Sequence, residues 1–277
     1  MNNALSIDLE EYFQIHALSG LIHPDTWPNM PSSIEENTSM LLELLEMRNI
    51  RATFFCLGWI AERYPRLIKR ICAAHHEIAC HGYAHKVIYQ QDHAAFREDV
   101  SRAKKILEDI TGKPVIGYRA PTYSIIEKTL WALKVLEEMG YLYDSSIFPI
   151  YHDNYGIPHA PRFPYRLPEN TLVEYPLSTL KIGPINIPIS GGGYFRLFPY
   201  ALIKIGLKAL MLGNKPFVFY IHPWELNPNT PRVPGMDALS RFRTYTGIET
   251  ACDNFVALLK DFPFAPVHDV LHDLGLL

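Results

Sequence analysis

Cysteine is scarce in this chain of 277 residues. None of its four cysteines stands in a C-x-x-C pair. Cys56, Cys72 and Cys80 lie within or beside apolar stretches, so we expect buried, reduced thiols. Cys80 precedes a histidine and is a possible metal ligand. In a strand over 77–80 its side chain can face away from that histidine, so we assign it to the core.

Long apolar runs and a strong net charge are also missing. No apolar run reaches the roughly 20 residues that a membrane-spanning helix needs. The opening MNNALSIDLEEYFQ has neither a basic start nor the long apolar stretch of a signal peptide, which predicts a cytoplasmic protein. The formal net charge of −3 gives no indication of a nucleic acid or an anionic membrane as partner.

Short apolar strands alternate with amphipathic helices along most of the chain. The predicted strands are 4–8, 51–58, 76–82, 114–121, 141–146 and 216–223. The predicted helices are 33–49, 59–75, 93–112, 126–140, 203–214 and 247–262. Ser33 and Glu36 have the spacing of a capping box at the first helix. This alternation predicts one α/β domain over 1–277, with a parallel sheet wrapped by helices.

Residues 147–200 interrupt the alternation. They are rich in proline, glycine and tyrosine and include SGGGYFRLFP at 190–199. We predict a β-hairpin/loop insertion around 147–200. The glycines of this loop let the backbone approach a ligand closely, and Tyr194 can stack on a sugar ring. A tight turn over the barrel end explains the same residues equally well.

The chemically capable side chains stand where predicted strands end. They are Asp8, Glu10, Glu11, His81, His85, Arg119, Asp144 and His222. In a parallel α/β barrel, the carboxyl ends of all strands meet at one face, and the active site forms there. We therefore expect these residues to converge on one mouth.

His81 and His85 are four residues apart, a spacing that places two imidazoles on one face of a helical turn. With the carboxylate of Glu10 they make an open three-ligand site for a divalent ion. Such an ion lowers the pKa of water toward neutrality and polarises a carbonyl. Asp8 is then placed to act as the general base.

Two basic residues complete the predicted chemistry. Arg119 can hold Asp8 ionised, although a structural salt bridge with Asp144 is an alternative. The backbone N–H of Thr122 can stabilise an oxyanion. His222 can protonate a departing amine, and its alternative is a core histidine bonded to the backbone.

Five motifs carry a family resemblance. In order they are SIDLEEYF, HEIACHGYAH, GYRAPTYS, GYLYDSS and FYIHPWE. Together they resemble the polysaccharide deacetylases with the NodB homology domain, carbohydrate esterase family 4. SGGGYFRLFP and SRFRTYTGIE resemble its bacterial exopolysaccharide-locus branch. The resemblance implies a distorted (β/α)7-type barrel and metal-dependent removal of N-acetyl groups from the hexosamines of a glycan, in exopolysaccharide biosynthesis.

The resemblance also implies a role for each matching residue. Its first motif usually has two adjacent aspartates, but here Leu9 follows Asp8. Glu10 is then the expected metal ligand, with Glu11 as the alternative. The remaining implied roles are His81 and His85 as metal ligands, Asp8 as base, Arg119 as the residue that tunes the base, Asp144 as the partner of the arginine, His222 as acid, and Thr122, Tyr123 and Tyr194 toward the substrate and oxyanion.

Several properties stay open at the level of sequence. Zinc suits two histidines and a glutamate, but cobalt, nickel or iron can take the same ligands. An allantoinase-like, metal-independent hydrolase of a small cyclic amide or ureide is an alternative function. An inactive scaffold of a polysaccharide assembly system is another. The sugar, the linkage and the oligomeric state are not determined.

Overall fold

A computed structural model describes residues 2–168, 171–213 and 215–277. Residues 169 and 170 of the predicted insertion, and residue 214 of the predicted helix 203–214, lie outside the described residues. The strands are β1 (Asn3–Leu9), β2 (Thr53–Cys56), β3 (Glu77–Cys80), β4 (Gly117–Tyr118), β5 (Tyr143–Asp144), β6 (Tyr165–Arg166), β7 (Val173–Glu174), β8 (Thr179–Ile182), β9 (Ile185–Pro188), β10 (Val218–Ile221) and β11 (Phe264–Ala265). The helices are α1 (Ile34–Glu46), α2 (Gly58–Arg63), α3 (Pro65–Ala73), α4 (His93–Thr111), α5 (Trp131–Glu138), α6 (Gly192–Leu197), α7 (Tyr200–Leu212), α8 (Ala238–Tyr245), α9 (Ile248–Asp261) and α10 (Val267–Asp273).

One sheet forms the centre of the molecule, with the order β10-β1-β2-β3-β4-β5-β7-β6 and β11 paired to the start of β1. The strands from β10 to β7 in this row run parallel, and β6 alone is antiparallel to its neighbour. The last long strand, β10, returns to lie beside the first. This arrangement confirms the predicted distorted (β/α)7-type barrel.

Side-chain alternation along the strands separates two apolar layers. Phe54 and Cys56 of β2 pack outward against the helices, whereas Phe55 between them belongs to the inner cluster. In β1, Leu5 and its alternate neighbours likewise pack outward, and Ala4 packs inward. Because the side-chain period of a strand is two, the inward face of β1 also carries Ser6 and Asp8. Strand parity therefore places Asp8 inside the barrel.

Helix α1 is capped differently from the sequence prediction. The Ser33 side chain makes no cap hydrogen bond, so the predicted capping box with Glu36 is wrong. Oε1 of Glu11 instead accepts hydrogen bonds from the backbone N–H groups of Ser33 and Ile34, each at 3.0 Å. A carboxylate at a helix N-terminus also interacts favourably with the helix dipole. Glu11 thus holds α1 against the end of β1.

The insertion contains the predicted hairpin, formed by β8 and β9. The predicted glycine-rich loop, however, is partly helical, because α6 begins at Gly192. The sequence prediction also missed α8, β11 and α10. Asp237 is the N-cap of helix α8, and its side chain accepts hydrogen bonds from the backbone N–H groups of Leu239 and Ser240. These elements are short, so their apolar periodicity is too brief to stand out in a sequence window.

None of the described helices combines the length and the apolar character needed to cross a bilayer.

Candidate active site

The buried pair of Asp8 and Arg119 forms the floor of the site. Nη1 of Arg119 donates to Oδ1 of Asp8 and to Oγ of Ser6, each at 2.7 Å. The other side of the guanidinium donates to the carbonyl oxygen and to Oγ of Ser145, at 3.0 and 2.9 Å. Arg119 has no exposed surface, and its guanidinium lies 4.1 Å from the ring centroid of Phe55. The arginine is therefore rigidly held and keeps the Asp8 carboxylate fixed.

Glu10, His81 and His85 form one cluster. A carboxylate oxygen of Glu10 and one ring nitrogen from each histidine lie within 4.8 Å of one another. The histidines follow β3 in a loop rather than on a helical turn, and His85 has a left-handed φ of 51°. The helical geometry expected from the i, i+4 spacing is therefore wrong. The loop brings the two rings to a centroid distance of 5.4 Å.

The donor groups of this cluster fit a divalent ion. Nδ1–H of His81 donates to the carbonyl oxygen of Arg119 at 2.8 Å, which leaves Nε2 of His81 with a free lone pair. Burial lowers the pKa of His81 to about 4, so the ring is neutral near pH 7. Oε2 of Glu10 is buried 2.8 Å from Nε2 of His85, yet it has no hydrogen-bond partner among the described residues. An open site of two imidazoles and one carboxylate suits zinc-like ions.

Glu10 is ionised in this cluster. Burial raises the pKa of Glu10, but the imidazoles of His85 and His222 outweigh that effect and bring it to about 2. Glu11, the alternative ligand, points away from the cluster to cap α1. The structure thus separates the two adjacent acids, and Glu10 is the one that faces the histidines.

His222 lies close to both Glu10 and Asp8. Its Nε2 is 3.4 Å from Oε1 of Glu10 and 3.8 Å from Oδ2 of Asp8. Its Nδ1 is 2.7 Å from Oε2 of Glu225, which also accepts the backbone N–H of His222 at 3.0 Å. Burial lowers the pKa of His222, but the Glu225 and Glu10 carboxylates outweigh it and raise the pKa to about 9. His222 therefore carries a proton near pH 7.

Sequence reasoning missed two residues behind His222. Nε of Arg196 in α6 donates to Oε1 of Glu225 at 2.7 Å, and both side chains are buried. Burial raises the pKa of Glu225, but His222 and Arg196 outweigh it and lower the pKa to about 2. The segment H-P-W-E carried a usable signal, because an acid three residues after a strand end has capping-box spacing.

Thr122 and Tyr123 line the cleft beside Asp8 in a strained backbone conformation. Both have left-handed φ angles, 55° and 51°, which cost about 1–3 kcal/mol each in residues other than glycine. The hydroxyl of Tyr123 lies 3.4 Å from Oδ2 of Asp8. Backbone strain of this kind is typical of functional sites.

The cleft has a volume of about 340 Å³. Of the predicted site residues, it is lined by Asp8, Glu10, His81, His85, Thr122, Tyr123, Tyr194 and His222. Tyr194 comes from α6, and its ring packs edge-to-face on Phe148 at 6.2 Å between centroids. Arg119 does not line the cleft itself, but it binds Asp8, which does. The insertion thus supplies one wall of the site.

Asp144 lies elsewhere than expected. The described hydrogen bonds of Arg119 do not include Asp144, so the predicted ion pair between them is not formed. Asp144 is instead directly opposite Glu174 in the register of β5 and β7, and its Oδ1 accepts from Oγ of Ser146 at 2.6 Å. Burial raises the pKa of Asp144 to about 6 and that of Glu174 well above its usual value. The two acids form a buried carboxyl pair beside the site.

Comparisons with known proteins find two family matches along the chain. Residues 25–143 match the family model "Polysaccharide deacetylase", and residues 145–272 match "Domain of unknown function (DUF3473)". Strands from both segments join the one sheet, since β5 pairs with β7. The chain is 34% identical over 98 residues to a peptidoglycan-N-acetylglucosamine deacetylase of Bacillus cereus, a match covering 35% of this chain and 36% of the relative. The chain spans about a third of the length of the curated relatives it matches.

Solved structures share the fold over nearly the whole chain. A polysaccharide deacetylase candidate from Mycobacterium smegmatis has a TM-score of 0.60 at 20% identity, covering 99% of this chain and 91% of that one. An allantoinase has a TM-score of 0.61 at 19% identity, covering 97% and 88%. At such identities the likeness concerns the fold alone. The family matches confirm the resemblance carried by the sequence motifs: residues 25–143 are similar to the polysaccharide deacetylase family, and residues 145–272 are similar to DUF3473.

Proposed function

We propose that this chain is a metal-dependent hydrolase that removes N-acetyl groups from the amino sugars of a poly- or oligosaccharide. The observation that carries the proposal is the position of His222, whose Nε2 lies 3.8 Å from Oδ2 of Asp8 and 3.4 Å from Oε1 of Glu10. A protonated imidazole and the Asp8 carboxylate thus both lie close to the proposed metal ligand Glu10. The name of the Bacillus cereus relative supports an N-acetylated hexosamine as the substrate unit.

Glu10, His81 and His85 are the residues that would hold the ion. A divalent ion there supplies Lewis acidity toward the acetyl carbonyl and lowers the pKa of water. We propose zinc, because two imidazoles and a carboxylate are a zinc donor set. Cobalt, nickel and iron use the same ligand types.

Asp8 and His222 divide the proton transfers. Water attacks the acetyl carbonyl carbon, and Asp8 accepts the proton that the water loses. Arg119 holds the Asp8 carboxylate in position for this step, with Nη1 2.7 Å from Oδ1 of Asp8. As the C–N bond breaks, Nε2 of His222 gives its proton to the sugar nitrogen. The products are acetate and a free amino sugar.

Residues on the cleft wall would orient the glycan. The backbone N–H of Thr122 is our candidate donor to the developing oxyanion. The ring of Tyr194 is our candidate platform for a sugar. Exopolysaccharide biosynthesis is the proposed setting, on the resemblance of SGGGYFRLFP and SRFRTYTGIE to that branch of the family.

Acetate release from N-acetyl chito-oligosaccharides by zinc-loaded protein tests the proposal. We expect Asp8→Asn and His222→Ala each to lower kcat by about 10²–10⁴-fold, the usual contribution of general acid–base catalysis. His272→Ala, at an exposed histidine, is the matched control and should leave kcat unchanged. No acetate release by the unaltered protein contradicts the proposal. Hydrolysis of allantoin without added metal would support the allantoinase-like alternative.

A further inference from the structure

Acidic residues are absent from one long stretch of the sequence. Residues 175–224 contain no aspartate or glutamate but five lysines and arginines, whereas the whole chain has a formal net charge of −3. The stretch includes β8, β9, α6, α7 and β10. The net charge of the chain therefore conceals a basic region concentrated in the second half of the barrel.

Helix α7 is apolar on two opposite sides. Ile203, Leu207 and Leu210 are buried against the barrel. On the other side, Leu202, Ile205 and Leu212 are 58%, 64% and 90% exposed, at helical spacing. A helix that is apolar all round is normally covered on both sides. No part of the chain that the structure describes covers the outer side of α7.

The hairpin of β8 and β9 extends this apolar surface. It packs against α7, and its Leu180 and Ile187 contact the core. Ile182 and Ile185 are opposite each other at the hairpin tip and are 55% and 62% exposed. We call Leu202, Ile205, Leu212, Ile182 and Ile185 together the α7 face.

Lysines border the α7 face. Lys181 is on the hairpin, Lys208 is on α7, and Lys215 follows α7, all exposed. Their ammonium groups take part in none of the ion pairs formed within residues 2–168, 171–213 and 215–277. Among the described lysines of residues 175–224, Lys204 alone forms an ion pair, with Oδ1 of Asp261 at 2.7 Å. The α7 face thus combines apolar side chains with three lysines outside the described ion pairs, of which Lys208 helps to lower the pKa of Asp261 and Lys215 lies 5.2 Å from the ring centroid of Phe163.

We propose that the α7 face docks onto the headgroup region of an anionic lipid bilayer, with α7 lying in the plane of the membrane. Apolar residues that enter the acyl boundary, together with lysines that meet anionic headgroups, are the features of interfacial helices. At 13 residues, α7 is about 20 Å long, too short to span the roughly 30 Å hydrocarbon core. A second copy of the chain fits the surface less well, because a two-fold interface would bring like-charged lysines together.

Co-sedimentation with lipid vesicles tests this proposal, which does not depend on the hydrolytic chemistry. We expect binding to vesicles of phosphatidylcholine with phosphatidylglycerol, weaker binding to phosphatidylcholine alone, and loss of the difference at high salt. Leu202→Glu/Ile205→Glu should lower the partition coefficient at least about tenfold. Lys208→Gln should lower it roughly fivefold on anionic vesicles only.

Met47→Glu/Leu130→Glu is the matched control, because both residues are exposed and apolar but lie at the ends of other helices, Met47 after α1 and Leu130 before α5. This variant should bind vesicles like the unaltered protein, and circular dichroism confirms that each variant is folded. Equal binding by the Leu202→Glu/Ile205→Glu variant overturns the proposal, as does equal loss of binding in the control. An alternative outcome is that the unaltered protein self-associates and does not bind vesicles. If Leu202→Glu/Ile205→Glu then abolishes the self-association, the proposal is overturned in favour of a second copy of the chain.

Discussion

Oε2 of Glu225 lies 2.7 Å from Nδ1 of His222, while Oε1 of the same carboxylate accepts a hydrogen bond from Arg196. The carboxylate fixes the imidazole with Nδ1 protonated, and it turns Nε2 toward Asp8 and Glu10. Arg196 holds the carboxylate from behind. The direction in which the proposed acid delivers its proton is thus set by the insertion as well as by β10.

Replacing Glu225 tests that relationship. Glu225→Gln should lower kcat for deacetylation by at least about tenfold, since it disturbs the residue that holds the proposed acid. It should also lower the free energy of unfolding by about 3–5 kcal/mol, because buried Arg196 loses its partner. Kinetics well below the unfolding temperature separate the two effects. Glu249→Gln, in an exposed pair with Arg232, should change the free energy of unfolding by no more than about 1 kcal/mol.

Replacing Glu10 and replacing Glu11 should have different effects on the stabilisation of the protein by zinc. Adding zinc should raise the unfolding temperature of the unaltered protein, because ligand binding stabilises the folded state. Glu10→Gln should abolish most of this shift, since it removes the carboxylate of the cluster. Glu11→Gln should lower the unfolding temperature without zinc and preserve the shift, since Glu11 caps α1. Calorimetry measures the unfolding temperatures. If zinc raises the unfolding temperature of Glu10→Gln as much as that of the unaltered protein, Glu10 is excluded as a ligand.

Tyr194 provides a test of glycan binding by the insertion. Tyr194→Ala should raise KM for N-acetyl chito-oligosaccharides by roughly 2–10-fold, the value of one aromatic contact, and leave kcat nearly unchanged. Tyr151→Ala is the matched control, because Tyr151 is in the same insertion, is 80% exposed and does not line the cleft. Steady-state kinetics at fixed zinc concentration measure both. Identical KM values for Tyr194→Ala and the unaltered protein would remove Tyr194 from the binding site.

The carboxyl pair of Asp144 and Glu174 should make stability depend on pH. Burial raises both pKa values in the folded state, so both acids keep their protons to a higher pH there than in the unfolded chain, where such acids ionise above about pH 4. The contribution of the pair to the free energy of unfolding is therefore complete below the pKa values of the unfolded chain. It is lost as the pH rises through the pKa values of the folded state.

Glu174→Gln should consequently gain stability relative to the unaltered protein between about pH 5 and pH 8. The relative gain should grow as the pH rises, because the glutamine has no proton to lose while the carboxyl group of Glu174 does. Guanidinium unfolding of the metal-free proteins at both pH values measures it. Glu43→Gln, on the surface of α1, should show no such trend. A Glu174→Gln variant that loses stability relative to the unaltered protein as pH rises would refute a protonated pair.

Much of the barrel was predictable from sequence because its signals are local. The apolar stretches that became β1, β2, β3 and β10 are fully or mostly buried, as continuous apolar runs indicate. Parallel strands then bring their carboxyl ends together, which is why Asp8, His81 and His222 were expected at one mouth. The short elements α8, β11 and α10 were missed because their sequence signals are weak.

The sequence by itself determined the ingredients of the site and the edge of the sheet to which they belong. Only the tertiary structure decided the partners: Arg119 binds Asp8 rather than Asp144, Glu11 caps α1 while Glu10 faces the histidines, and Glu225 joins His222 to Arg196. Carboxylates at strand ends look alike in a sequence. Which cation each one meets depends on distances between segments far apart along the chain, and packing of the whole barrel sets those distances.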